Sequence, residues 1–262
     1  MRRRTLTELA DNPELISGIY NYCDRWCERC SFTSRCLLYA TEQEDEDDSP
    51  ESHDVNNEAF WVKLSSIFQE TRKMICAWAE EAGVDLNNID EESGALEERR
   101  DTEAQEHRLA VNGKEYAEAV TRWFTEFDEI ITVTDAKPTE IDEENAQQIL
   151  DARDVIHWYQ YQIAVKTMRA LSSRSREQEP SEWEDDDRLQ KDSDGSAKVA
   201  LVGIDRSIGA WRIMQCGLPD RAHLVVPLIL QLEQLRVRTE REFPEARSFI
   251  RPGFDEILGK AN

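Results

Sequence analysis

The run Ala197-Lys-Val-Ala-Leu201-Val-Gly-Ile204-Asp-Arg-Ser-Ile208-Gly-Ala-Trp211-Arg-Ile-Met-Gln215 decides the fold class. Ala197, Leu201, Ile204, Ile208, Trp211 and Gln215 follow one another in steps of four and three. That spacing lines one face of an α-helix and leaves the other faces free. Asp194-Gly195-Ser196 reads as the start of this helix by capping, rather than as a phosphate cradle, because Asp192 and Asp194 oppose an anion there. Gly217 reads as its end.

The same period extends outward in both directions. Downstream, Leu224, Leu228, Leu232 and Leu235 predict a helix over about 220–242, which Pro227 is expected to kink. Upstream, Ile149, Ile156, Ile163 and Ala170 stand seven apart in a helix read from Thr139, opened by Pro138, to about Leu171. Leu109, Tyr116, Val120, Trp123, Phe124 and Phe127 mark a further helix over about 103–131, with a possible break at Asn112-Gly113. Phe60, Leu64, Ile67, Thr71, Met74 and Trp78 mark another over 58–82, ended by Gly83. Five long amphipathic segments without a strand pair or a repeat predict an all-α protein, an antiparallel bundle of about five long helices.

The organisation expected around that bundle has four parts. Residues 1–40 form a cysteine-rich segment, in which Asn12-Pro13 opens a helix with a Leu15, Ile19, Tyr22, Trp26 stripe. Residues 41–57 hold eight acids and no Lys or Arg, so they read as a solvated linker. Residues 58–242 are the bundle, interrupted by acidic loops at about 84–102 and 172–195, and 243–262 are a tail.

Chemistry is concentrated in Cys23-Asp-Arg-Trp-Cys27-Glu-Arg-Cys30-Ser-Phe-Thr-Ser-Arg-Cys36, which holds four of the six cysteines. Four soft thiolates this close together can surround one inorganic centre. Three readings stay open. Cys23, Cys27 and Cys30 could be one buried helix stripe, the four could bind zinc, or they could ligate a [4Fe–4S] cluster. Only Cys27-x2-Cys30 obeys the usual paired spacing of zinc sites. The run Cys27-Glu-Arg-Cys30-Ser-Phe-Thr-Ser-Arg-Cys36-Leu-Leu-Tyr39 resembles the C-x2-C-x5-C end of the [4Fe–4S] loop in endonuclease III-type DNA glycosylases. It is also similar to the cysteine staple of iron–sulfur nucleases in CRISPR-associated and helicase–nuclease families. The likeness covers this loop alone, and the gap from Cys23 to Cys27 is shorter than in the glycosylase pattern. The resemblance implies a cluster ligated by Cys23, Cys27, Cys30 and Cys36, with a structural or electron-relaying role. Cys76 reads as core.

A second candidate lies in the bundle itself. Charges inside apolar helical runs need partners, so Asp205 is expected to pair with Lys166 or Arg169, and Arg206 with a carboxylate such as Asp154. Asp154, His157, Lys166, Asp205 and Arg206 then form a candidate polar site, for a small molecule or, with Asp154-x2-His157, a ferritin-like dimetal centre.

The net charge of −23 opposes nucleic-acid binding, which depends on many Lys and Arg contacts. The only basic grouping, Arg2–Arg4 with Arg25, Arg29 and Arg35, is offset by Glu8, Asp11, Glu14, Asp24 and Glu28. No run is apolar enough for a membrane span or a signal peptide. The expectation is a cytoplasmic protein whose partner is a redox or other protein, with reaction unspecified.

Overall fold

The computed structural model describes residues 6–45, 54–86, 91–131, 143–178 and 190–255. All regular structure among them is helical, with no strand. The protein is all-α, as its periodicity implies. The chain divides into two compact units, Met1–Leu15 with Thr33–Glu98, and Ile16–Phe32 with Arg99–Asn262.

The first unit contains α1 (Leu6–Ala10), α2 (Leu37–Asp45) and α3 (Glu58–Ala82). Helix α1 packs on α2 and buries Leu9. The acidic linker expected over 41–57 therefore begins as helix, because Leu37-Leu-Tyr-Ala continues into Glu and Gln, good helix formers, before its remaining acids at 46–53, which lie outside the described residues. Helix α3 starts and ends where the sequence places it. Asn57 caps it by accepting from the Ala59 amide, and Gly83 closes it at φ +69°. Its apolar stripe is not core, however. Ile67, Met74 and Trp78 are exposed, Phe60 and Leu64 are half-buried, and the only buried residue described on it is Ala79. Cys76, expected in a core, is exposed as well.

The second unit is built on α5 (Arg108–Ile131), α6 (Glu143–Glu177), α7 (Asp192–Gly217) and α8 (Ala222–Glu242). Each packs on the next, and α8 returns to α5, so four of the five long helices the periodicity implies enclose this core, and the fifth, α3, belongs to the first unit. The predicted stripes are its substance. Ile149, Ile156, Ile163 and Ala170 of α6 are buried, with Leu201, Ile204 and Trp211 of α7 and Leu232 and Leu235 of α8. Burying such side chains contributes roughly 1.5–3 kcal/mol each. The Trp211 indole N–H donates to the Tyr116 hydroxyl at 3.0 Å, which satisfies the polar atoms of two fully buried rings. Asn112-Gly113 does not break α5. A Cβ at Gly113 would lie 3.1 Å from Ala164 Cα, so glycine there allows α5 and α6 to approach closely.

Three other expectations change. The acidic connection expected at 84–102 is helical from residue 91, as α4 (Glu91–Glu106), a sequence rich in Glu, Ala and Arg with an Arg99–Glu103 pair one turn apart. It meets α5 at His107, whose Nδ1 accepts from the Leu109 amide. The loop expected from 172 is shorter, since α6 runs to Glu177 and α7 starts at Asp192. The Ser193 amide and hydroxyl both donate to the Glu177 carboxylate, which ties those two ends together. Pro138 lies outside the described residues. The expected tail begins as core: Phe243, Ala246 and Phe249 are buried, three apart along a turn-rich segment.

Candidate functional site: the cysteine loop and its anchor

The chain from Ile16 to Phe32 is not the helix its Leu15, Ile19, Tyr22, Trp26 stripe predicts. Gly18 at φ +71° stops helix propagation, and Arg25 at φ +59° turns the chain again. Between them lie short 3-10 turns, Ile19–Tyr22 and Cys27–Arg29. Cys23, Cys27 and Cys30 therefore do not form a helix stripe, and that reading falls.

Asp24 anchors the loop. Its carboxylate accepts from Arg206 Nη1 at 2.6 Å and from the Tyr159 hydroxyl at 2.5 Å, while its backbone carbonyl accepts from the Trp158 indole at 2.9 Å and from Gln162. Arg206 Nη1 also donates to the Tyr159 hydroxyl. One residue thus bridges α6 and α7 to the loop through main chain and side chain together. Burial pushes the Tyr159 phenol well above its ordinary value, and the adjacent Asp24 carboxylate pushes it further. Two residues along, Trp26 stacks on Trp158 with ring centroids 4.9 Å apart, and Arg29 lies over Trp26 while donating to Asp151 and Asp154. The Tyr22 hydroxyl donates to Asp192 at the start of α7.

Cys23 and Cys27 flank this anchor along the chain. None of the six cysteines is in a disulfide, and the four of the loop are all partly exposed. Cys30 Sγ accepts from the Phe32 amide at 3.4 Å. Cys23 Sγ donates to the Tyr20 carbonyl. Burial pushes the Cys23 thiol up, opposed by the Arg25 amide and the charge of Lys166. Cys23, Cys27 and Cys30 belong to the second unit and Cys36 to the first. Among the described residues, no three His, Cys, Asp or Glu side chains are gathered so as to hold a metal ion.

The polar site expected inside the bundle does not assemble. Asp205 pairs with Arg247 at 2.6 Å and with Arg236, not with Lys166 or Arg169. Arg206 pairs with Asp24 rather than Asp154, and Asp154 is exposed and engaged by Arg29. The reason is helical geometry: adjacent residues point about 100° apart, so Asp205 and Arg206 meet different neighbours. Arg169 instead binds Asp192. Lys166 is half-buried, and its pKa is lowered by burial and by the charge of Arg169. His157 stacks on Phe124 at 4.1 Å. Sequence reasoning missed Asp24, Trp26 and Tyr159 as residues that hold the loop; the one signal for the first two was that they lie between cysteines.

No family model, curated protein or solved structure matches this chain. No helix among the described residues is long and apolar enough to cross a membrane.

Proposed function

We propose that the four cysteines of residues 23–36, Cys23, Cys27, Cys30 and Cys36, ligate a [4Fe–4S] cluster, with Asp24 holding the part of that loop up to Phe32 on α6 and α7. The observation that carries this reading is an anchored backbone that presents four partly exposed thiols, none of them in a disulfide and one accepting an amide N–H. A loop kept only for packing would bury its cysteines. The donor chemistry fits, because four thiolates are the usual ligand set of such a cluster.

Zinc is the weaker alternative. Only Cys27-x2-Cys30 obeys the usual paired spacing of zinc sites, whereas four clustered thiolates are the usual ligand set of a four-iron cluster. Such a group, when bound, supplies one-electron transfer or a rigid local cross-link. The protein's residues supply the rest: Asp24 fixes the loop, and the Phe32 amide hydrogen-bonds to sulfur, a contact that tunes potential. A redox or other protein partner in the cytoplasm fits this reading.

Anaerobic purification with iron, acid-labile sulfide and zinc assays tests it. A brown protein with about four irons and four sulfides per chain, both lost when the four cysteines become serine, is the expected result. A colourless protein carrying stoichiometric zinc, or no metal after anaerobic reconstitution with iron and sulfide, overturns it.

A further inference from the structure

A cleft of about 580 Å³ opens beside the loop, within the second unit. Its volume falls in the range of small-molecule sites, roughly 300–1,000 Å³. On the helix side it is lined by Ala152 and Val155 of α6 and by Gly209, Ala210 and Ile213 of α7. On the other side stand Trp26, Phe32 and Phe254, the last two in edge-to-face contact at 5.1 Å.

Two observations say what it suits. The first is which polar atoms are left over. Both Asp24 carboxylate oxygens accept bonds, from Arg206 and Tyr159 on one and the Trp26 amide on the other. Arg206 is more than half exposed and lines the cleft, yet among the described residues only its Nη1 is engaged. The Nε and Nη2 edge of that guanidinium is a planar fork, suited to two parallel bonds to a carboxylate. The second is Gly209. It sits inside α7, where glycine costs stability relative to alanine. Gly113, Gly195, Gly203 and Gly217 have neighbours that a Cβ would crowd, whereas a Cβ at Gly209, as at Gly94 of α4, would meet nothing within 4 Å, and of these two Gly209 is the one that lines the cleft. The fold therefore has no packing need for glycine at this point, and the cleft lies directly over it.

We propose that this cleft binds a planar aromatic carboxylate, its ring lying over Gly209 among Trp26, Phe32 and Phe254, and its carboxylate on the free edge of Arg206. Removal of the side chain at 209 makes room for the ring, and aromatic walls favour stacked or edge contacts with it.

The test uses 2-naphthoate as the probe and its neutral amide, 2-naphthamide, as the comparator, followed by saturation-transfer NMR and titration on the full chain. The wild-type protein is expected to bind the acid at least tenfold more tightly than the amide. Gly209→Phe should abolish binding of both while leaving the helical circular dichroism intact, and Arg206→Gln should bring the acid to the level of the amide. Absence of binding at millimolar naphthoate overturns the proposal. So does equal affinity for acid and amide, a comparison that needs no variant, and so does unchanged binding by folded Gly209→Phe. Cys30 also lines the cleft, so the acid–amide comparison is repeated on the chain with Cys23, Cys27, Cys30 and Cys36 replaced by serine, and failure to prefer the acid in both forms overturns the proposal whatever the cysteines carry.

Discussion

Removing the Asp24 side chain should loosen the cysteine loop from the helices that hold it, and the size of the effect follows from the bonds lost. Asp24→Ala deletes acceptors for Arg206 Nη1 at 2.6 Å, the Tyr159 hydroxyl at 2.5 Å and the Trp26 amide at 3.3 Å. The Asp24 side chain is 18% exposed and that of Arg206 53%, so their ion pair is partly screened and contributes about 0.5–1 kcal/mol. The bond from the mostly buried Tyr159 is worth more, about 1.5–3 kcal/mol as a bond to a charged acceptor. The backbone carbonyl still accepts from Trp158 and Gln162 after the substitution, which limits the total. The expected loss is about 2–4 kcal/mol. With a urea slope of about 2 kcal/mol/M, the midpoint falls by about 1–2 M. Asp24→Asn keeps an acceptor without the charge and should lie roughly midway between the two. If the loop detaches before the helices melt, hydrogen exchange will accelerate at the Arg29 and Cys30 amides, whose bonds are local to the loop. Stability within about 0.5 kcal/mol of wild type in both variants, with unchanged exchange at those amides, would refute the anchoring role.

Gly195→Ala should destabilise by about 1–3 kcal/mol in chemical denaturation, because its Cβ would lie 2.4 Å from the Tyr22 ring and 2.7 Å from that of Phe249. Gly209→Ala should do the opposite and stabilise by about 0.5–1 kcal/mol, an increase in melting temperature that calorimetry can check. Acid should destabilise the second unit through Asp255 and Asp192. Burial opposes their ionisation, but bonds from Arg251 and Lys198 hold the Asp255 carboxyl well below its ordinary value, and bonds from Ser173, Tyr22 and Arg169 hold that of Asp192 below. In both cases the unfolded chain takes up protons first, so the stabilisation is complete above the ordinary carboxylate range and is lost as pH falls through the lower folded-state values. Asp255→Asn should accordingly be less stable than wild type at neutral pH, with the gap closing on acidification. Replacing all four loop cysteines by serine should remove iron and colour yet leave the α5–α8 core helical by circular dichroism, since that core is built from apolar packing.

The sequence by itself determined the helical class and the inward faces of α5 to α8, because the helical period is a local property that any eleven-residue window reveals. It also determined the thiol density at 23–36, the ends of α3, and the absence of an apolar run of membrane-spanning length. What it left open were choices made across long separations. The α3 stripe has the same period as the buried ones yet stands exposed, for period records that a face is apolar and not whether a partner covers it. Phe243, Ala246 and Phe249 were legible as three apolar residues three apart, but their burial is settled by neighbours supplied by other helices. Only the tertiary structure joined Asp24 to Trp158, Tyr159 and Arg206, which lie 134 to 182 positions away. Charge partners are chosen by distance in space, and adjacent residues on a helix point too far apart for their pairings to be read along the chain.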